Sequence, residues 1–168
     1  MIRTVFLSSS LLIVSVFIQS TWLSSIAVLG VIPDISLVIL IWVSFKNGPI
    51  EGAFSGFLAG LAEDCISASP LGFHTFLKTI VASITSLLHG SFAIDRIFIP
   101  FILGCGATLF KAIAASILSL LFGPSIHVYN FFARDIWIEV AYNGLLSPFF
   151  FFLLSLFAKY LITDQAKK

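Results

Sequence analysis

The run from Thr4 to Pro33, TVFLSSSLLIVSVFIQSTWLSSIAVLGVIP, has 30 residues and contains no charged side chain. A transmembrane helix needs about 20 apolar residues, so this run can supply one span and the loop that follows it. It is too long for the apolar region of a signal peptide, and no A-x-A-like cleavage site follows it. We therefore expect the run to stay in the protein as its first span.

The composition extends this interpretation to the whole chain. Of 168 residues, 59% are apolar and 10% are charged, against about half and a quarter in soluble domains. The net charge of +1 provides no basic surface for nucleic acid, so no nucleic-acid partner is expected. Six spans of about 20 residues each leave too few residues for a soluble domain. The sequence predicts one polytopic membrane domain over residues 1–168, an all-α bundle of six transmembrane helices.

Charge-free runs separated by turn residues define the six spans. The second and third are short because Lys46-Asn47-Gly48-Pro49 separates them. For these two, a hairpin that does not fully cross, or that neighbouring helices cover, stays an open alternative. The predicted spans are Val5–Val28, Val31–Phe45, Pro49–Ala62, Leu71–Ser91, Ile97–Phe122 and Ile136–Phe157.

Six crossings place most cations on one side of the membrane. Because positively charged short loops stay in the cytoplasm, we expect both termini to be cytoplasmic. The cations on that side are Arg3, Lys46, Arg96, Lys159, Lys167 and Lys168, whereas Arg134 lies on the other side with Asp34, Glu63, Asp64 and Asp135. Aromatic belts are expected from Trp22 and Trp137 at the outer interface and from Trp42 and Tyr160 at the inner one.

The third span carries a double G-x-x-x-G pattern at Gly52, Gly56 and Gly60. Glycines at this spacing share one helix face and let another helix backbone approach closely, which drives helix association in lipid. Two alternatives stay open for this face. It packs against the protein's own neighbouring helices, or it binds the helix of another protein.

Two lysines lie deep in predicted spans. Lys78 is about seven residues, or ~10 Å, from the outer end of the fourth span, and Lys111 is about eleven residues, or ~16 Å, from that of the fifth. A charge at such depth is costly unless it pairs, so we expect an ion-paired cluster in the outer half of the bundle. The acids available to it are Asp34, Glu63, Asp64 and Glu139. Such a cluster can lock helix register, bind a partner's polar group, or form a transport or proton route.

No spacing of reactive residues indicates an enzyme. His74, His89 and His127 are widely separated and form no i, i+4 pair, so neither a metal nor another cofactor is expected. Cys65 and Cys105 stand 40 positions apart and are expected to be small buried packing residues. The sequence offers no activated nucleophile and no carboxylate pair with assignable acid and base roles.

The segment from Pro33 to Phe73 resembles the MreD family of bacterial rod shape-determining membrane proteins. The matching marks are Pro33-Asp34, Lys46-Asn47-Gly48, Gly52, Gly56, Gly60-Leu61-Ala62-Glu63-Asp64 and Ser69-Pro70-Leu71-Gly72. Carried over by position, the family's site residues are Pro33, Asp34, Gly52, Gly56, Gly60, Asp64 and Gly72. Lys78, Lys111 and Glu139 come from the depth argument alone.

The resemblance implies a non-enzymatic scaffold in the bacterial cytoplasmic (inner) membrane, surrounded by lipid. It implies direct binding to the single-span protein MreC and assembly with MreB, RodA and a class B penicillin-binding transpeptidase during peptidoglycan synthesis. The glycine face and the polar cluster are then the expected partner surfaces. The family is also similar in architecture to the S-components of energy-coupling-factor transporters. The alternative function is therefore the substrate-binding membrane subunit of a small-solute, vitamin-type transporter.

Overall fold

The elements of the structure, a computed structural model that describes residues 2–21, 27, 30–89, 97–122 and 131–162, are all α-helices. The all-α prediction is therefore confirmed for these ranges, and each predicted span overlaps one of the first six helices. The helices are α1 (Ile2–Thr21), α2 (Ile35–Asn47), α3 (Pro49–Ile66), α4 (Phe73–Leu87), α5 (Phe98–Phe122), α6 (Arg134–Leu156) and the single turn α7 (Ala158–Leu161).

The helices of the bundle differ in length, from 13 residues in α2 to 25 in α5, apart from the single turn α7. Three of the described helices are long and apolar enough to cross a membrane, through Arg3–Thr21 in α1, Phe98–Leu120 in α5 and Arg134–Leu156 in α6. In contrast, α2 has 13 residues and is about 20 Å long at 1.5 Å per residue. This is shorter than the ~30 Å hydrocarbon core of a bilayer.

The short helix α2 is the centre of the fold. It contacts α1, α3, α4, α5 and α6, and nearly all of its side chains are buried. The apolar core is built around Leu37, Leu40 and Ile41, to which α1 contributes Leu12 and α4 contributes Val81. Because other helices cover α2, it does not need the length of a lipid-exposed span.

The burial of α2 overturns one expectation about the aromatic belts. Trp42 is only 1% exposed, so its assignment to the inner interface is wrong. Hydropathy does not separate a helix packed inside protein from one that faces lipid. Trp137 and Tyr160 are exposed near helix ends, where a belt requires them. Trp22 lies outside the described residues, as do Arg96, His127, Lys167 and Lys168.

A tight turn between α2 and α3 reverses the chain. Gly48 adopts a φ of +89°, which favours glycine, and its N–H donates to the Ser44 carbonyl at 3.1 Å. Pro49 is the first residue of α3, a position where its missing N–H costs nothing. The predicted turn at Lys46-Asn47-Gly48-Pro49 is therefore explained by a glycine that ends one helix and a proline that begins the next.

Candidate functional site

Three charged side chains from three helices meet at the end of the bundle where α2 begins. The Lys111 ammonium on α5 lies 2.9 Å from Asp34 Oδ2 and 2.6 Å from Glu139 Oε1 on α6. All three residues are buried. Asp34 also caps α2, because its Oδ1 accepts the Leu37 N–H at 2.9 Å. Lys111 thus joins the N-terminus of α2 to α5 and α6.

A second lysine extends this cluster to α3 and α4. Lys78 on α4 forms an ion pair with Glu63 on α3 and donates to Ser36 Oγ at 2.5 Å. The Ser36 hydroxyl in turn donates to Asp34 Oδ1 at 2.9 Å. Ser36 therefore connects the two ion-paired groups. We call the whole set the ionic network: Asp34, Ser36, Glu63, Lys78, Lys111 and Glu139.

Uncharged polar groups support the ionic network from its sides. Asn143 on α6 accepts the Asp34 N–H at 2.9 Å and donates to Thr108 Oγ1 on α5 at 3.1 Å. Gln19 on α1 accepts the Ser36 N–H at 3.1 Å. Through these contacts α1 to α6 are all tied to the start of α2, which fixes their relative positions.

The ionic network contains three carboxylates and two ammonium groups, so its formal charge is −1. His74 lies beside the ionic network, with its Nδ1 3.5 Å from Glu63 Oε1. His74 balances the charge only when its ring is protonated. Its Nε2 lies 3.2 Å from Ser69 Oγ, which places this side chain at the edge of the ionic network, beside the α3–α4 loop.

Asp64 does not belong to the ionic network, contrary to the expectation from the sequence. Its carboxylate accepts the backbone N–H groups of Gly72, His74 and Thr75 at 2.8–3.0 Å and the Thr75 hydroxyl at 2.5 Å. These N–H groups belong to the N-terminus of α4, where no helical carbonyl can accept them. Asp64 therefore caps α4 from the end of α3, and backbone N–H groups take the place of the lysine that the sequence predicts as its partner.

The glycine face of α3 packs against the same chain. A Cβ on Gly56 would lie 2.7 Å from the Lys78 carbonyl oxygen. A Cβ on Gly60 would collide with the backbone of His74 and Thr75, and one on Gly52 would lie 3.0 Å from Ser44 Cβ. The structure thus shows the intramolecular alternative for this face, which α4 and α2 cover. A partner's helix has no free surface at these three glycines.

Pro33 and Gly72 have local structural roles. Pro33 is buried directly before the helix cap Asp34. Gly72 has a φ of +94°, which strains any other L residue, and its N–H donates to Asp64. Both positions orient the ends of helices that carry the ionic network or pack beside it.

Sequence reasoning missed Ser36 and Asn143. Serine is common throughout this chain, so Ser36 gives no signal on its own. Asn143 is fully buried and is an amide in the middle of an apolar helix. Since an unsatisfied amide in lipid costs several kcal/mol, its depth alone was a usable signal.

The cysteines differ from expectation, and the described histidines lie near helix ends. Cys65 is exposed, while Cys105 is partly buried and its Sγ lies 3.6 Å from the Val140 carbonyl oxygen. His74 follows the first residue of α4, and His89 follows its end, with Nδ1 2.8 Å from the Phe45 carbonyl oxygen. Among the described residues, no group of three or more His, Cys, Asp or Glu side chains is arranged to hold a metal ion.

Comparison with known protein families assigns the chain to a family. The model of the family described as rod shape-determining protein MreD matches residues 1–157, which is nearly the whole chain. No curated protein and no solved structure matches it.

Proposed function

The chain belongs to the MreD family of rod shape-determining membrane proteins, and from this we propose that it is a non-enzymatic scaffold of the cell-elongation machinery. In this proposal it binds MreC through its transmembrane helices and so supports peptidoglycan synthesis. MreB, RodA and a class B penicillin-binding transpeptidase join the same assembly. The family membership supports the role in rod shape, and the arrangement of buried charge supports the mechanism.

The ionic network is the observation that carries the scaffold mechanism. Its two lysines each pair with carboxylates, and Glu63 also lines a cavity of about 260 Å³ between α1 and α3. A buried ion pair contributes little net stability, but the loss of one partner leaves an uncompensated charge, which costs about 3–5 kcal/mol. The network therefore selects one arrangement of the helices. A scaffold needs such an arrangement in order to present a fixed surface to its partners.

We further propose that α1 to α6 all cross the bacterial inner membrane and that both termini are cytoplasmic. Arg3, Lys46 and Lys159 then lie at the cytoplasmic ends of their helices, as the positive-inside rule favours. The ionic network lies in the periplasmic half. The short helix α2 crosses because the helices around it shield it, an arrangement similar to that of energy-coupling-factor S-components.

Co-purification with MreC tests the proposed function. The chain and the MreC of the same organism are co-expressed, extracted in mild detergent and separated by size exclusion, with an unrelated single-span membrane protein as control. We expect the chain and MreC to elute as one complex, and the control protein to separate from the chain. Elution of MreC apart from the chain would contradict the proposal, as would thermal stabilisation of the purified chain by a vitamin-type solute.

A further inference from the structure

A groove runs between α1 and α3 along the side of the bundle. It has a volume of about 520 Å³ and is almost entirely apolar. One wall consists of Ile50, Phe54 and Leu58, spaced four residues apart on α3, and the other includes Ser9 and Ile13 on α1. Side chains at this spacing form ridges along a helix, and the space between two ridges fits a third helix.

The groove contains a carboxylate without a partner. Glu51 lines it and is 9% exposed. Within the described part of the chain, its side chain forms no ion pair and accepts no hydrogen bond. Glu63, on the same helix, is paired with Lys78. A buried carboxylate that lacks a counter-charge is costly, so Glu51 has an unmet requirement for a cation or a hydrogen-bond donor.

Three buried hydroxyls around Glu51 also lack partners. Ser9 lines the groove with its Oγ buried, and Ser8 and Ser55 line an adjoining gap, shared with Glu51, that is too small to hold a water molecule. All three serines are more than nine-tenths buried. Helical serines usually donate to a carbonyl of the preceding turn, as Ser15 does. Glu51 and Ser9, both in the groove wall, are thus two unsatisfied polar side chains at one place, which indicates a ligand with polar hydrogens.

We propose that the α1–α3 groove receives the transmembrane helix of a partner protein and that a Lys or Arg of that helix pairs with Glu51. This inference rests on the proposed function and assigns it a surface. Glu51 is the third residue of α3, just after the turn that contains Lys46. In the proposed orientation, it faces the cytoplasmic end of the partner's span, where positively charged residues are concentrated.

The groove favours a helix over a phospholipid. A phospholipid headgroup would bring a phosphate close to Glu51, and no Lys or Arg is among the described residues that line the groove. The groove wall on α1 includes the small residues Ser9 and Ser10, and small residues let a helix backbone approach closely. A protein cation therefore meets the charge of the site without adding a second anion.

Photo-crosslinking in cells tests the position of the partner. A photoreactive amino acid is placed at Ser10 or Phe54 in the groove, and at the exposed positions Ile117 on α5 and Leu145 on α6 as controls, in cells that co-express MreC. We expect crosslinks to MreC from the groove positions and none from the controls. Crosslinks from α5 or α6 alone would overturn the inference, and so would crosslinks from the groove to lipid alone.

Glu51→Gln tests the charge. The variant keeps the shape of the side chain and should keep the fold, but we expect about tenfold less MreC to co-purify, the effect of one lost polar contact in lipid. Equal binding by the variant and the wild type would overturn the inference and leave the proposed function intact. Failure of the wild type itself to bind MreC would overturn both.

Discussion

Two glutamates on α3 are used in opposite ways. Glu63, near the end of the helix, pairs with Lys78 and through it with Ser36 and Asp34. Glu51, in the first turn, is more deeply buried but has no partner among the described side chains. The comparison indicates a division along one helix. The charge at one end holds the bundle together, and the charge at the other end is left for a second molecule.

Lys111→Met should have the largest effect on the stability of the chain. The substitution leaves Asp34 and Glu139 buried without their shared cation, which should lower the free energy of unfolding by about 3–5 kcal/mol. The measurement is the melting temperature of the purified chain in detergent. Lys159→Met, at an exposed lysine of α7, is the control and should melt like the wild type. Equal melting of the two variants would mean that the ionic network does not hold the helices.

Gly60→Ala tests the packing that brings Glu63 to Lys78. The added methyl would collide with the backbone of α4 at Thr75, and overpacking of this kind costs about 1–3 kcal/mol. Gly106→Ala is the matched control, because a Cβ there meets no atom within 4 Å. It should be neutral or stabilise the helix by up to about 1 kcal/mol. Similar melting temperatures for the two variants would contradict close packing of α3 on α4.

Asp64→Ala separates helix capping from the ionic network. Removal of the carboxylate should cost about 2 kcal/mol, the upper end for a helix cap, because four hydrogen bonds to Asp64 are lost. Asp135→Ala, at an exposed acid of α6, should have a smaller effect on the melting temperature. Melting of Asp64→Ala at the wild-type temperature would contradict its role as the cap of α4.

Glu51→Gln should have the smallest effect on stability. The carboxylate has no partner within the described residues, so no stabilising contact is lost, and removing its charge lowers the cost of burial. We expect a melting temperature equal to or slightly above that of the wild type in the absence of MreC. A clear decrease would reveal a partner for Glu51 within the chain and remove the contrast with Glu63.

Depth and charge were enough to predict most of the ionic network. A lysine in an apolar run is stable only where its charge is paired or hydrated, so Lys78 and Lys111 predict acids at the same depth. In the structure, Lys78 pairs with Glu63, and Lys111 pairs with Asp34 and Glu139. The same rule misplaced Asp64. Its competing donors are backbone N–H groups at the start of α4, and their position depends on how the α3–α4 loop folds, which the sequence pattern does not specify.

Hydropathy predicted which segments are helical, but not whether each helix packs against lipid or against protein. The six runs matched α1 to α6 because an apolar helix in lipid and an apolar helix inside protein have similar compositions. For the same reason, the burial of Trp42 and the central position of α2 were not foreseen. Glu51 was missed because an acid in the first turn of a helix is ordinarily explained by the helix dipole, and only the structure shows that it is buried without a partner.

The central claim is that Glu51 binds a partner while Glu63 holds the bundle together. Its most direct test is the amount of MreC bound per folded chain in Glu51→Gln and in Glu63→Gln. Size exclusion with both proteins labelled measures this amount. The account predicts that Glu51→Gln stays folded and loses most of its MreC. It predicts that Glu63→Gln yields less folded chain, but that this folded chain binds MreC as the wild type does. Loss of MreC from folded Glu63→Gln together with normal binding by Glu51→Gln would contradict the account.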